Sequence, residues 1–369
     1  MRLGIDVSTY FEEKKAGVTY YDGDTVCEPL SMFNANGVDI MRIRLWLDPY
    51  KGDKPYLGGT CDMENFLKLA KLGMEKGYEI MLDFHYSDFW VDPGKQTIPK
   101  AWQNLDKEQL INKVYEYTVE SLNTIKDNGI KLAFIQVGNE ITNGMLWPVG
   151  RLIENGADKP RGNYETLIKI IKAGVKGCRE VMPNAQLILH LERSYDTQVY
   201  NEFFTQMQGA CVDFDIIGFS YYPYWHGTMA QFFNNVDMCK KFGKKLMIVE
   251  TGYAFTVEDY IHEPDGNAHL VVANTNIANF SFKEEFPLTI EGQCQFTKTL
   301  LEKSKQHGID AVCWWEPIWI PGENICWASV EGQEYINETG KSTRNEWANQ
   351  CLFDYDGKKT PAFDLFKVK

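Results

Sequence analysis

Several features that mark whole classes of protein are missing from this sequence of 369 residues. No apolar run reaches the roughly 18 residues of a membrane-spanning helix, so we expect no membrane segment. No low-complexity tract or stretch rich in proline, glycine and serine interrupts the chain, which argues against disorder and against a linker. Basic residues are few, with 38 Lys and Arg against 51 Asp and Glu and a net charge of −13. This charge argues against nucleic acid and anionic lipid as partners and favours a neutral or small substrate.

Closely spaced cysteines are also missing. The nine cysteines stand singly, without CxxC spacing, which argues against a zinc site and against a complete disulfide framework. We therefore expect most of them to be buried as small apolar side chains in a reducing compartment. Because the chain begins with Met1 and a strand-like segment rather than a signal peptide, the sequence favours the cytoplasm. A secreted protein whose leader has been removed is the alternative.

The sequence does contain eight short, mostly apolar segments that are typical of strands buried on both faces. They lie at 3–8, 39–45, 79–85, 132–140, 186–192, 214–221, 245–251 and 310–316. Between several of them the apolar residues recur with helical period, which predicts helices at 62–76, 107–127, 164–181, 229–242 and 291–307. Strands and helices therefore alternate along the chain.

This alternation predicts one (β/α)8 TIM barrel over 1–369. We expect this single domain to be catalytic and to act as a monomer. A doubly wound sheet usually has fewer strands and would carry a GxGxxG turn after its first strand, which is absent after Val7. Long segments follow strands three, four, seven and eight, at 86–106, 143–163, 254–290 and 318–360. Because barrel chemistry is placed at the carboxyl ends of the strands, these segments predict a long substrate cleft there.

Two glutamates end the fourth and seventh strand segments, Glu140 and Glu250. Strand ends three apart in an eight-membered ring face each other across the barrel mouth. Glycoside hydrolysis needs two such carboxyls, one to protonate the leaving oxygen and one to attack or to activate water. The alternative is that both glutamates are salt-bridge partners of Arg42 or Arg44. We expect Arg44 to keep Glu250 ionised in either case.

Polar residues beside these carboxyls are candidates for holding the substrate. On a regular strand Asn139 would point away from Glu140, so we expect an irregular strand end that brings both to the mouth. The Asn139 amide would then hold a sugar hydroxyl, or alternatively cap a turn. Asp83 and His85 end the third strand, and we expect them to position a substrate hydroxyl. A catalytic metal on these two and Asp88 is the weaker alternative, because the chain has only six histidines.

Tryptophans also collect at the strand ends. Aromatic faces stack on sugar rings, so their common location favours a saccharide groove over the alternative that each belongs to the core. The seven of the ten tryptophans that fall at or just after strand ends are Trp46, Trp90, Trp147, Trp225, Trp315, Trp319 and Trp327.

Longer motifs extend through nearly the whole chain. They are Gly4-Ile-Asp-Val-Ser8, Met41-Arg-Ile-Arg-Leu-Trp46, Leu82-Asp-Phe-His-Tyr-Ser-Asp88 with Trp90 and Asp92-Pro-Gly-Lys-Gln96, Gln136-Val-Gly-Asn-Glu140 continuing to Pro148, Ser220-Tyr-Tyr-Pro-Tyr-Trp-His-Gly227, Val249-Glu-Thr251 and Trp315-Glu-Pro-Ile-Trp-Ile-Pro321. In these motifs the sequence closely resembles glycoside hydrolase family 53, the endo-β-1,4-galactanases of clan A.

This resemblance implies an endo-acting, retaining enzyme that cuts β-1,4-galactan, the side chain of pectin and type I arabinogalactan, without a required cofactor. It implies that Glu140 is the acid/base and Glu250 the nucleophile. The residues that it places at the substrate are Arg44, Asn139, Tyr221 and Trp315, and we add Asp83, His85, Trp90, Trp225 and His226 as binding candidates. The alternatives are another clan A enzyme acting on β-mannan or β-glucan, and a catalytically silent saccharide-binding barrel.

Calcium is the point at which the sequence departs from the family resemblance. Members of the family often bind calcium between the loops after strands seven and eight. Asp259, Asp265 and Asn267 in the first of these loops offer suitable oxygen ligands. The segment 332–338 in the second loop has no clear aspartate counterpart. A structural calcium ion is therefore an open expectation, with an ordinary solvated loop as the alternative.

Overall fold

The computed structural model describes residues 1–152, 163–261, 270–273, 285–341 and 343–367. Eight parallel strands close into a barrel in which each strand pairs with its neighbours in chain order and the last pairs with the first. The strands are β1 (Arg2–Asp6), β2 (Ile40–Leu45), β3 (Glu79–Phe84), β4 (Leu132–Val137), β5 (Gln186–Leu191), β6 (Ile216–Tyr221), β7 (Lys245–Thr251) and β8 (Ala311–Trp315). The predicted (β/α)8 barrel is confirmed.

Helices surround the barrel and connect its strands. Within the described residues they are α1 (Tyr10–Lys15), α2 (Pro29–Ala35), α3 (Met63–Glu75), α4 (Lys107–Asp127), α5 (Tyr164–Val181), α6 (Thr197–Gly209), α7 (Met229–Cys239), α8 (Ile290–His307), α9 (Val330–Tyr335) and α10 (Pro361–Leu365). Short 3-10 helices lie at Lys100–Trp102, Ile141–Asn143, Lys240–Phe242 and Ala348–Gln350. The five predicted helices are all present.

The longest helix, α4, shows why these segments are helical. Asp106 caps its first turn by accepting from the backbone N–H of Gln109, whose side chain in turn accepts from the backbone N–H of Asp106. Leu110, Val114 and Leu122 are buried on one face, as the helical period of the sequence predicts. Burial of that face against the barrel supplies most of the stability of such a helix.

The barrel interior contains an apolar layer near the amino ends of the strands. Successive side chains of a strand point to opposite faces, so alternate residues enter the barrel. We call the inward group the apolar layer, and it consists of Ile40, Met81, Phe134, Ile188, Ile216, Met247, Val249, Ala311 and Cys313. Strand β1 contributes Gly4 here because a Cβ atom would lie only 2.5 Å from Cys313 Sγ. The intervening residues point outward and pack against the helices.

A second inward group lies two to four residues further along the strands, towards their carboxyl ends. We call it the polar layer, and each of its side chains is fully buried. Its members are Asp6, Arg42, Asp83, Gln136, His190 and Ser220. The barrel therefore changes from apolar to polar along its axis, and the polar end is the one where barrel chemistry is placed.

Long loops follow β3, β4, β7 and β8, as predicted. Within the described residues, three short antiparallel strand pairs lie in the connections, at Tyr20–Asp22 with Thr25–Cys27, Tyr50–Lys51 with Lys54–Pro55, and, in the loop after β4, Gly144–Met145 with Gly150–Arg151. All nine cysteines are free, and six of them are buried. Among the described residues, no helix is both long enough and apolar enough to cross a membrane.

Candidate active site

A cavity of about 610 Å³ opens at the carboxyl ends of the barrel strands. Of the residues that the sequence placed in the site, those that line the cavity are Arg44, His85, Trp90, Asn139, Glu140, Trp225, His226, Glu250 and Trp315. Asp83 and Tyr221 are not among the lining residues. Together with Glu192 and Arg193 after β5, the predicted residues that do line the cavity come from seven of the eight strand ends or following loops.

Tyr221 was assigned to the substrate incorrectly, because it points out of the barrel. It follows the inward Ser220 on β6, and its ring stacks on Phe232 of α7 at 4.3 Å, fully buried. The next residue, Tyr222, points inward and lines the cavity. Its hydroxyl donates to Glu250 Oε2 over 3.2 Å. Tyr222 therefore occupies the position that the sequence analysis gave to Tyr221.

Asp83 lies beneath the cavity and contacts protein groups instead of the open space. Its carboxylate pairs with Arg42 at 2.8 Å. His85 does line the cavity, but both of its nitrogens are engaged: Trp46 Nε1 donates to Nδ1 over 3.0 Å, so Nε2 carries the proton and faces Asp83 at 3.1 Å. Burial lowers the pKa of His85, although Asp83 opposes this effect, and the ring is neutral.

Glu140 reaches the mouth because the end of β4 is irregular, as predicted. Gly138 has φ of 85°, and Glu140 itself adopts a left-handed conformation with φ of 48° and ψ of 52°. A Cβ on Gly138 would lie 2.7 Å from Ile141 Cγ2, so glycine is required there. The turn brings both Asn139 and Glu140 to the cavity.

Asn139 is held in one orientation by groups on three sides. Its Oδ1 accepts from Arg42 over 3.0 Å and from Gln136 over 3.2 Å. Its Nδ2 donates to the carbonyl of Val91 over 3.0 Å. These partners distinguish the oxygen of the amide from its nitrogen. The second hydrogen on Nδ2 remains the group with which Asn139 could hold a sugar hydroxyl.

Glu250 turns towards the cavity because of a bulge beside β6. The pairing shifts between Phe219, opposite Ile248, and Ser220, opposite Glu250, which leaves Val249 as an extra residue. Val249 belongs to the apolar layer, so strict alternation would point Glu250 outward. The bulge reverses this direction, and the Glu250 side chain is inward and only 6% exposed.

The cation beside Glu250 is Arg42 and not Arg44, which corrects the expectation from the sequence. Arg42 Nη2 lies 2.8 Å from Glu250 Oε1, and Nη1 lies 2.6 Å from Asp6. Arg44 instead pairs with Glu316 at 2.7 Å, and its guanidinium lies 4.5 Å from the centre of the Trp90 ring. Arg44 therefore holds an aromatic wall of the cavity in place.

The carboxyls of Glu140 and Glu250 face each other, with an oxygen of each within 4.8 Å of the other. Burial, and then the charge of Glu250, raise the pKa of Glu140 well above its usual value. Burial also raises the pKa of Glu250, but Arg42 opposes this effect and holds it at about 7. Because Arg42 pairs with Glu250, whereas the charge of Glu250 opposes ionisation of Glu140, Glu250 loses its proton first and Glu140 retains its own.

Aromatic rings form the walls of the cavity. Trp90 and Trp327 stack with their ring centres 4.3 Å apart and their planes 5° apart, and Trp315 lies 6.0 Å from Trp90. Trp225, at the rim, is 46% exposed. Trp347 also lines the cavity and was not predicted, because it lies far from any strand end in the sequence. The other predicted tryptophans, Trp46, Trp147 and Trp319, do not line it.

Known proteins are similar to this chain in sequence and in architecture. The profile of glycosyl hydrolase family 53 matches residues 2–366. The chain belongs to this family. An endo-beta-1,4-galactanase of Bacillus subtilis (strain 168) is 29% identical to it over 99% of this chain and 85% of that protein. A Niallia circulans protein, described as uncharacterized and in the bgaB 5′ region, is 33% identical over 99% and 93%.

A solved structure agrees with this family assignment. The GH53 catalytic domain from Ignisphaera aggregans superimposes with a TM-score of 0.84 and 32% identity, covering 98% of this chain and 94% of that one. This family 53 chain is thus a glycoside hydrolase with the clan A barrel, as the motifs indicated.

The sequence commits this family 53 hydrolase to no metal, with a catalytic metal as the weaker alternative and a structural calcium ion as an open expectation. Among the described residues, the one group of three His, Cys, Asp or Glu side chains that converge is Glu140, His190 and Glu250. Both nitrogens of His190 already contact protein groups, and Glu250 already pairs with Arg42. We therefore interpret these three side chains as groups that exchange protons and do not bind a metal ion.

The calcium candidates lie in the loop after β7. Of these, Asp265 and Asn267 lie outside the described residues. Asp259 is described, and its Oδ1 accepts from the backbone N–H of Ile261 over 3.0 Å. No further group of three such side chains converges at Asp259 within the described part of the chain. The expected calcium site therefore stays untested.

Besides Trp347, four residues that line or support the cavity were missed or undervalued in the sequence: Arg42, His190, Ser220 and Tyr222. All four point inward on their strands or just after them. Counting every second residue from Ile216 along β6 would have reached Ser220 and Tyr222. The signal was therefore present in the alternation of the strand.

Proposed function

We propose that this chain is an endo-acting, retaining β-1,4-galactanase, with Glu250 as nucleophile and Glu140 as acid/base. The observation that carries the proposal is the pair of facing carboxyls, in which an oxygen of one lies within 4.8 Å of an oxygen of the other and the two environments differ. Retaining enzymes hold their carboxyls about 5–5.5 Å apart, whereas inverting enzymes leave about 6.5–9.5 Å for a water molecule. The substrate class rests on the name of the Bacillus subtilis relative.

In the first step, the Glu250 carboxylate attacks the anomeric carbon of a galactose unit. Glu140 gives its proton to the glycosidic oxygen as the bond to that oxygen breaks, and the cleaved chain leaves with a new hydroxyl group. The sugar is now joined to Glu250 as an ester. Arg42 and the hydroxyl of Tyr222 contact Glu250 and hold its attacking group in place.

In the second step, Glu140 is a carboxylate and acts as a base. It takes a proton from a water molecule whose oxygen attacks the anomeric carbon. The bond to Glu250 breaks, the sugar is released with its original β configuration, and both carboxyls return to their starting forms. These steps use only carboxyls, a substrate and water, so we propose no cofactor.

The remaining parts of the proposal concern how the chain meets its polymer. The cavity at the strand ends is flanked by long loops and by the half-exposed Trp225, which favours binding along the interior of a polysaccharide. The site residues lie on one barrel, and we propose that the chain acts as a monomer with a single catalytic domain over 1–369.

The test is the release of reducing ends from β-1,4-galactan, compared with β-mannan and β-glucan. We expect galactan to be cut much faster than the other two, with a rapid fall in its viscosity. Galactose released alone from chain ends would contradict the endo mode. Preferred cleavage of mannan or glucan would contradict the substrate.

Stereochemistry tests the retaining mechanism separately. Proton NMR of the first products should show the β anomer before it equilibrates with the α anomer. An α anomer at the earliest time would contradict retention. Protein carrying Glu250→Gln provides the inactive control for both experiments.

A further inference from the structure

The inference concerns how Glu140 is kept protonated, and it rests on the proposed function. Two side chains of the polar layer, His190 on β5 and Ser220 on β6, link Asn139 to Glu140. His190 Nδ1 lies 3.0 Å from Asn139 Oδ1, and His190 Nε2 lies 2.7 Å from Ser220 Oγ. Ser220 Oγ in turn lies 2.6 Å from Glu140 Oε1. The four side chains form one continuous series of hydrogen bonds.

The first contact determines which nitrogen of His190 carries hydrogen. Asn139 Oδ1 accepts from Arg42 and Gln136, and the Nδ2 of the same amide donates to Val91, so the atom facing His190 is an oxygen without hydrogen. A second acceptor at 3.0 Å would be repelled, so His190 Nδ1 must donate. The backbone N–H of Glu140 also approaches Nδ1, but from 3.4 Å, and the shorter contact decides.

The second contact then determines the direction in which Ser220 donates. Burial, and then the charge of Arg42, lower the pKa of His190 well below its usual value, so the ring is neutral and carries one hydrogen. With that hydrogen on Nδ1, Nε2 is an acceptor. Ser220 has one hydroxyl hydrogen and directs it to Nε2.

The third contact therefore needs its hydrogen from Glu140. Ser220 Oγ and Glu140 Oε1 are 2.6 Å apart, and Ser220 has already used its single hydrogen. A protonated Glu140 donates to Ser220 and completes the series. An ionised Glu140 competes with His190 Nε2 for the single Ser220 hydrogen. Whichever of the two accepts it, the other is left as a buried acceptor without that hydrogen bond.

We propose that Asn139, His190 and Ser220 form a relay that holds the Glu140 carboxyl in its protonated form before the first step of the reaction. His190 and Ser220 are positioning residues in this relay, because they act through Glu140 and not on the substrate. Other charged or titratable groups near Glu140 and His190 also favour or oppose the protonated form of Glu140. Those facing Glu140 are Glu250, Glu192, Asp92 and Tyr222, and those facing His190 are Arg42, Asp83, His85 and His226.

The relay makes a prediction opposite to that of the simpler arrangement. If Ser220 donated to an ionised Glu140, removing its hydroxyl would raise the pKa of Glu140. In the proposed relay, Ser220 accepts from the protonated carboxyl, so Ser220→Ala removes the group that favours the protonated form. The pKa of Glu140 should then fall by about one pH unit, the effect of roughly one hydrogen bond.

The experiment is a carbon-13 NMR titration of the free, full-length protein labelled at the glutamate carboxyls. Glu140→Gln identifies the Glu140 signal by its disappearance. The titration needs no substrate, so an absence of galactanase activity would leave this result intact and would count only against the proposed function. The pH dependence of kcat/KM on galactan provides the second readout, in which the alkaline limb should move with the NMR titration.

Three variants separate the outcomes. Ser220→Ala should lower the pKa of Glu140, Ser220→Thr should restore it because the hydroxyl is kept, and His190→Met should lower it because Ser220 is then free to donate to the carboxylate. An unchanged or higher pKa in Ser220→Ala would overturn the relay. An unchanged pKa in folded His190→Met would overturn the role of His190, and if that variant does not fold, Ser220→Ala still decides.

Discussion

The two halves of the barrel interior are built from the same strands but are opposite in chemistry. Near the amino ends, the apolar layer fills the interior with side chains such as Ile188 and Met247. Two to four residues further on, the polar layer buries Arg42 between the carboxylates Asp6 and Asp83. Burying charge in this way costs free energy unless each group is paired. The carboxyl half of the barrel therefore gives up apolar packing to hold its carboxyls in defined protonation states.

The two ends of the barrel also use arginine differently. Arg2, at the amino end, pairs with Asp39 and Glu79 on the surface, where its side chain is 34% exposed. Arg42 is fully buried and holds Asp6, Asp83 and Glu250 together. Ion pairs of the first kind contribute little to stability, whereas removing one partner of the second kind leaves buried charges unpaired.

The largest expected effect comes from removing the nucleophile. Glu250→Ala should reduce turnover by several powers of ten, or about 7 kcal/mol of barrier at five powers, because the covalent route is lost. Substrates with activated leaving groups should not rescue it. Steady-state kinetics on an aryl galactoside would measure the loss, with circular dichroism to confirm folding. Activity within tenfold of the parent would contradict the assignment.

Azide distinguishes the two carboxyls of the same site. In Glu140→Ala, an activated leaving group should still allow the glycosyl-enzyme to form, and azide should attack it to give the β-galactosyl azide. In Glu250→Ala, azide filling the cavity should attack from the opposite face and give the α product. NMR of the products would distinguish the anomers. The reverse pattern would make Glu140 the nucleophile and Glu250 the acid/base.

The next largest effect should come from the buried arginine. Arg42→Met should lower the free energy of unfolding by about 3–5 kcal/mol, because Asp6, Asp83 and Glu250 lose their common cation. The matched control, Arg2→Met, should cost no more than about 1 kcal/mol, because its ion pairs are exposed. Urea unfolding of both variants would measure the difference. Equal losses would remove the distinction between the two ends of the barrel.

Much of this architecture could be predicted from the sequence. The strand segment 245–251 coincides with β7, because a run that is apolar on both faces is typical of a barrel strand. Helix α6 was not predicted, although Val199, Phe203 and Met207 recur every four residues on its buried face. The period was therefore present and was overlooked.

The directions of the site residues were harder to predict than their locations. Tyr222 could have been distinguished from Tyr221 by counting alternate residues along β6. The inward direction of Glu250 could not be predicted by the same counting. The bulge that turns this side chain inward depends on how β7 pairs with β6 and leaves no mark in the local sequence. Choosing Arg42 over Arg44 likewise required the distance to Glu250.

A substitution in the apolar layer tests the other half of the comparison. Ile188→Thr should lower the free energy of unfolding by about 1–3 kcal/mol more than Ile188→Val does. Threonine and valine have nearly the same shape, but only threonine buries a hydroxyl. Neither variant should change kcat per folded molecule. Thermal and urea unfolding would measure the difference, and equal stabilities would mean that the layer already accepts polar groups.

The pH dependence of activity reports the polar half directly. Activity requires an ionised Glu250, whose pKa is raised to about 7, and a protonated Glu140, whose pKa is raised well above its usual value. The value of kcat/KM should therefore rise about tenfold per pH unit below the first pKa and fall with the same slope above the second. Full activity at pH 4, in folded protein, would show that Glu250 ionises far more readily than its burial indicates.

The smallest expected effect lies at the rim, where the site meets solvent. Trp225 is 46% exposed, and its ring contacts Tyr222 edge-on, with the centres 5.8 Å apart. Trp225→Ala should cost about 0.5–1.5 kcal/mol of binding, a rise in KM of roughly twofold to tenfold, because one aromatic face is lost to the sugar. Trp225→Phe should retain most of the affinity, since it keeps such a face. Stability should hardly change in either variant, because the side chain is half in solvent. A lower kcat with an unchanged KM in Trp225→Ala would contradict a role in binding alone. Trp225 would then act on the reacting groups through Tyr222, and the residues that support the reaction would extend further towards solvent than their burial indicates.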